Sequence, residues 1–277
     1  MFISFKINSL NMKLFLTSNF LIFFSILITA QSPGEMPRQK FFTTAVGLTW
    51  QTRYDDLFSP LAYTGYGAEL HIGSERISEK WFKQFELWGN ANKIQSRVNK
   101  GYNYSAYGFR YGVSQIWARR VMPQQAAFKW YVGGSVFHSS SMGYYPGNTN
   151  NIFSFNVPTG IAASTFLMKN IRFFKKNWIL STQLTIPVVA YNARPSYIGF
   201  ANKENFTQEY GVVTLNKLLN IDWRWQIDLP LSNGNHLRAI YRWDYMDDKH
   251  NGRLQVGTQS LLIQSLFNIP FKIKNLK

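Results

Sequence analysis

Two sets of side chains in this sequence have the types and spacing that chemistry needs. The first is His138-Ser139-Ser140. In a strand, residues two apart leave the same face, so His138 and Ser140 project side by side. An imidazole can take the proton from a hydroxyl while a third polar group orients the ring, which makes Ser140 a candidate nucleophile and His138 its base. Asn151, a loop further on and in phase with Phe153 and Phe155, is the candidate orienting group. Polar residues at a membrane interface are the plainer reading. The second set is Asp55 and Asp56 in one loop with Asp247, Asp248 and His250 in another. Paired acids with a histidine suit water activation or calcium binding, and ordinary solvated loop acids are the plainer reading. There is no phosphate-cradling glycine loop, no His-x-x-x-His zinc pattern and no nucleophile elbow. The sequence therefore implies no metal centre and no cofactor beyond calcium at the rim or beside His138.

The elements that must carry these residues are strands. Ile221-Asp222-Trp223-Arg224-Trp225-Gln226-Ile227-Asp228-Leu229 alternates large apolar with polar side chains, which gives one greasy and one wet face. Nine further segments share the rhythm: Phe41–Arg53, Tyr66–Ser74, Trp81–Gln95, Asn103–Arg119, Ala127–Ser141, Ile152–Met168, Trp178–Asn192, His236–Met246 and Arg253–Phe271. Short turns such as Ser78–Lys80, Met122–Gln124 and Ser232–Asn235 alternate with longer polar loops at Tyr54–Thr64, Arg97–Tyr102, Met142–Asn151, Ala193–Tyr210 and Asp247–Gly252. That is the plan of an antiparallel transmembrane β-barrel. Ten strands are expected, with eight or twelve the alternatives. A soluble β-sandwich would need neither the alternating loop lengths nor the aromatic surplus.

Residues 1–30 read as a signal peptide, with Lys6 and Lys13 ahead of the apolar stretch Leu14–Ile28 and a cleavage end at Thr29-Ala30. About fifteen apolar residues fall short of the roughly twenty that a spanning helix needs. A periplasmic N-terminal segment at 31–40, the barrel at 41–271 and a tail at 272–277 complete the expected organisation. Cysteine is absent, so no disulfide framework or lipid anchor is possible. Aromatic residues are 17% of the chain, as expected where rings line two membrane interfaces. The net charge of +16 falls to +14 once Lys6 and Lys13 are removed. Behind an export signal that charge points to lipid head groups and lipopolysaccharide phosphates rather than nucleic acid. The barrel-assembly machinery is the other expected partner, and oligomeric state is left open.

If the apolar faces meet lipid, the wet faces place Glu69, His71, Glu86, Arg110, Asp222, Arg224, Asp228, His236, Arg238, Arg242 and Asp244 inside. About eight strands give an interior that side chains can just fill. Ten strands holding so many charges of both signs should therefore be plugged, which excludes a general porin. A charged translocation path is the alternative.

Three resemblances bear on these residues. His138-x-Ser140, with Asn151 about a dozen residues on, resembles the outer-membrane phospholipase A and lipid A deacylase pattern, although Ser141 stands where those enzymes carry asparagine. The resemblance implies a lipid esterase facing the bilayer near the outer rim. The acids at the rim resemble those of the omptin proteases, whose pairs nevertheless lie on different loops. The third resemblance is broader. Leu57-Phe58-Ser59-Pro60-Leu61-Ala62-Tyr63-Thr64-Gly65, Asn148-Thr149-Asn150-Asn151, Pro195-Ser196-Tyr197 and Leu218-Leu219-Asn220-Ile221-Asp222-Trp223-Arg224 together resemble an uncharacterised family of exported barrel proteins of Bacteroidota. It implies an outer-membrane barrel without an assigned activity.

Overall fold

The computed structural model describes residues 39–99, 102–123, 128–146, 153–173, 176–194 and 210–269. The expected signal and periplasmic segments up to residue 38, Asn151, Phe271 and the C-terminal tail lie outside these residues. The strands are β1 (Gln39–Asp55), β2 (Ser59–Ile77), β3 (Trp81–Asn99), β4 (Tyr102–Arg120), β5 (Lys129–Tyr144), β6 (Phe153–Phe173), β7 (Lys176–Ala193), β8 (Tyr210–Thr214), β9 (Leu218–Pro230), β10 (His236–Asp248) and β11 (Leu254–Asn268). All pairings are antiparallel. The sheet closes because β1 pairs with β11 and β6 with β7.

Both β8 and β9 pair with β7, one against Val189–Ala193 and the other against Ile179–Thr185. They are two halves of a single stave interrupted by the turn at Leu215–Lys217. The closed barrel thus has ten staves, as the periodicity predicts.

Two connections differ from expectation. β2 begins at Ser59, so Tyr54–Thr64 is mostly strand, and β3 and β4 run on into Arg97–Tyr102. Pro60 and its neighbours up to Thr64 read as loop residues, yet β1 supplies a pairing partner for the segment in register, Arg53 to Tyr63 and Tyr54 to Ala62. A proline at the start of a strand removes no interior hydrogen bond. The same kind of error hid β8, a five-residue stretch too short to show a period, which the sequence reading leaves between the loop ending at Tyr210 and the strand beginning at Leu218.

The barrel is inside-out relative to a soluble protein, which removes the sandwich reading. Leu48 on β1 is 74% exposed while Arg242 on β10 is 2% exposed. Val46, Leu70, Ile72, Leu87, Leu261 and Ile263 form an outward apolar belt. Rings bound it at both ends. At the end of the short turns stand Phe42 stacked on Phe267, with Trp81, Trp117 and Trp130. At the loop end are Trp50 against Tyr66 and the run Tyr107, Tyr144, Phe153. Phe42 and Trp50 are eight residues apart on β1, about 27 Å of strand at ~3.4 Å per residue. Tilted as barrel strands are, this approaches the ~25 Å apolar height that a barrel presents to an outer membrane.

Inside, the side chains form layers. An apolar layer at the turn end joins Ile77, Phe82, Ile116, Tyr131, Phe166, Met168 and Ile179, with the Phe82 and Phe166 rings stacked 4.1 Å apart. A charged layer lies at mid-height. At the loop end, Phe58, Tyr63, Ile94 and Tyr145 form one cluster, and Val213, Leu218, Met246, Leu254 and Val256 another.

Candidate functional site

Every charged residue that the alternation places inside points into the lumen, most of them in the mid-height layer and Asp228, His236 and Arg238 nearer the turn end. Register explains how the layer assembles. Across β9 and β10, Arg242 stands opposite Arg224 and Asp244 opposite Asp222, so like charges face each other directly. The guanidiniums resolve this by reaching diagonally and across the lumen. Arg242 donates to Asp222 at 3.0 Å, to Asp244 at 2.9 Å and to Glu69 on β2 at 2.6 Å. Arg224 forms two bonds with Asp222, at 3.0 and 2.7 Å, and meets Glu86 at 2.6 Å. Arg110 donates to Asp244 at 2.6 Å. His71 lies between Glu86, 2.7 Å from Nδ1, and Glu69, 2.5 Å from Nε2. Lower down, Arg238 forms paired bonds with both Asp228 and Glu75, and His236 approaches Asp228 at 3.9 Å. Fork-shaped guanidiniums suit such paired carboxylate contacts, and charge-assisted bonds are the strong ones.

Sequence reading missed three participants. Glu75 was in phase with Glu69 and His71, but β2 was expected to stop at Ser74. Trp88 has an inward indole on which Arg242 stacks, 4.1 Å from the ring centroid. Arg53 is fully buried and donates to Tyr145, Ser141 and Ser154, closing the loop end. Its odd position on β1, opposite in phase to Leu48 and Trp50, was a sufficient signal. Among the described residues, a cavity of about 50 Å³ touches Trp88, Phe137, Gln183, Asn220 and Arg242. That is room for a few waters.

The rim acids are brought together as adjacency of β1 and β11 requires, but they are already engaged. Asp55 accepts from Arg194 at 2.9 Å and lies 3.6 Å from Arg53. Asp56 accepts the Arg253 backbone N–H at 2.5 Å. Asp248 points inward and accepts from Asn192 and the His250 backbone N–H. Asp247 lies on the opposite face of β10, bonded twice by Arg253, whose guanidinium it holds above its ordinary pKa. Neighbouring acids on one strand thus leave by opposite faces. Among the described residues no three acidic or histidine side chains converge as metal ligands.

His138 and Ser140 lie opposite Val113 and Tyr111 on β4, whose odd positions face outward. The His138 ring sits 5.9 Å from that of Tyr111, and its Nδ1 lies 2.7 Å from Thr159 Oγ1. The bonded partner of His138 is therefore Thr159 rather than Ser140. The pair also lies within the apolar belt, since His138 is eight residues from Trp130 and six from Tyr144 on β5. That is mid-membrane, not the outer rim.

No family model matches the chain, and no curated protein matches it. Among solved structures, the chain is similar to the β domain of the Bordetella autotransporter BrkA, at 10% identity and a TM-score of 0.37, over 84% of this chain and 100% of that one. It is also similar to an outer-membrane channel from Pseudomonas putida F1, at 8% identity and a TM-score of 0.34, over 86% and 100%. Neisserial surface protein A is a third, at 10% identity and 0.31, over 80% and 95%. The class follows from the chain's own geometry. A closed ten-stave sheet, apolar outside and charged inside, is a transmembrane β-barrel of the bacterial outer-membrane type.

Proposed function

We propose that the protein is a closed outer-membrane barrel, a structural or surface-binding protein that acts through its rims and loops rather than as an open channel. One observation carries this reading. Among the described residues, apolar, ionic and again apolar layers stand in series along the lumen, and the cavity beside Arg242 holds only a few waters. A translocation path would need its charges hydrated and free, whereas the guanidiniums of the middle layer are shared among carboxylates. The expected export signal and the resemblance to exported barrel proteins of Bacteroidota point the same way. The esterase reading gains no support from the geometry of His138. The test is electrical. Purified barrel inserted into a planar bilayer should show no steady ionic conductance, and reproducible open-channel steps would overturn the proposal.

A further inference from the structure

We infer that the turn end of the barrel carries a binding site for anionic phospholipid head groups, built on a cross-strand row of cations. Lys40, Arg76 and Lys83 stand directly opposite one another on β1, β2 and β3. They share the outward face with Phe42, Ile72 and Phe85. Like charges directly opposite in a sheet repel. Inside the barrel the same problem, Arg242 opposite Arg224, is resolved by lumenal carboxylates. Lys40 and Lys83 have no carboxylate partner among the described residues, and at this end Glu79 is the one described acid that does not face the lumen.

The row continues into rings. Lys83 pairs with Trp117 across β4 and lies 5.9 Å from the ring of Trp81, which pairs in turn with Arg119. Indoles beside unpaired cations, at the border of an apolar belt, match the layered chemistry of a phospholipid: acyl chain, glycerol, phosphate. Arg172 and Lys176 extend the exposed positive charge to β6 and β7. The loop end contrasts with this, because there Asp55, Asp56, Asp247 and Asp248 offset Arg53, Arg194 and Arg253. Both described chain ends lie at the turn end, which in an outer-membrane barrel is periplasmic. The occupant is therefore an anionic phospholipid of the periplasmic leaflet, with its phosphate against Lys40, Lys83 and Arg119.

The inference rests on the outer-membrane placement, which heat-modifiable gel migration probes separately. Its own test is native mass spectrometry of the full barrel released from detergent micelles containing phosphatidylglycerol, phosphatidylcholine and lipid A in equal amounts. Wild-type protein should retain phosphatidylglycerol preferentially. Lys40→Gln, Lys83→Gln and Arg119→Gln should each weaken retention by about fivefold, the effect expected for one basic residue near an anionic surface. Lys93→Gln, on the outward face nearer the loop end, should leave it unchanged. All variants must keep the folded gel mobility, which surface lysine and arginine changes permit. Equal retention of phosphatidylcholine, undiminished phosphatidylglycerol in all three of the Lys40, Lys83 and Arg119 variants, or preference for lipid A would each overturn the inference.

Discussion

At the scale of single residues, the charged layer is held by a few guanidiniums that each serve several acids. Arg242 is the extreme case, since its removal leaves Glu69, Asp222 and Asp244 short of a donor in the barrel interior. Removing one member of a buried ion pair costs about 3–5 kcal/mol, mostly from the stranded partner. Arg242→Ala should lower the urea midpoint of unfolding accordingly. Pairing it with Glu69→Gln should restore part of the loss, because one stranded charge disappears. An additive double variant would show that the two side chains are not coupled. His138 and Ser140 lead to the opposite expectation. His138 is bonded to Thr159 and the pair sits deep in the apolar belt, so Ser140→Ala should leave the acyl-chain profile of cell lipids unchanged. A changed profile would reinstate the esterase.

At the scale of elements, alternation carries most of the fold because a slip of one residue would turn a strand's charges into lipid. On β10, His236, Arg238, Arg242 and Asp244 could face only one way, and their partners on β9 followed from the same count. Packing inside a stave depends on residues that alternation cannot rank. Gly112 on β4 is one. A Cβ there would lie 2.8 Å from the Trp88 indole, whose other neighbours include the Arg242 guanidinium. Gly112→Val should therefore destabilise the barrel by about 1–3 kcal/mol, the usual cost of overpacking. Gly89→Ala, where the nearest atom is 3.6 Å away, should cost much less in the same unfolding assay. Equal losses would mean that the indole simply moves aside. The lumen charges were thus legible as a set, since sign and phase are written in the sequence. Which acid meets which arginine was not, because that depends on the stagger of strands from opposite walls, as with Asp244 and Arg110. Nor was the fate of the rim acids legible. Arg194 lies in a segment without a period, and only the closed sheet shows that it reaches Asp55. The division of one stave into β8 and β9 was hidden for a similar reason: five residues are too few to show a rhythm, and only their shared pairing with β7 reveals them.

At the scale of the whole molecule, the interior resembles resistances in series. An ion entering from the loops meets the Tyr63, Ile94 and Tyr145 cluster with Arg53 above the charged layer, and the stacked Phe82 and Phe166 rings below it. The layers block an ion for different reasons: two because they are apolar and close-packed, one because its charges are tied up in pairs around a cavity with room for only a few waters. A leak requires all three to open. Exchanging Arg242 and Glu69 for serine removes charge and volume from the middle layer but leaves the apolar layers packed. Such a variant should fold with reduced stability and remain electrically silent in a planar bilayer. Phe82→Ala with Phe166→Ala should likewise be silent, at a stability cost of about 3–5 kcal/mol for each ring removed. Conductance is expected only when the middle and both end layers are cut together in one chain. Steady current from either partial variant would mean that a single layer holds the seal. The closed lumen would then be a gate with one latch rather than a filled core.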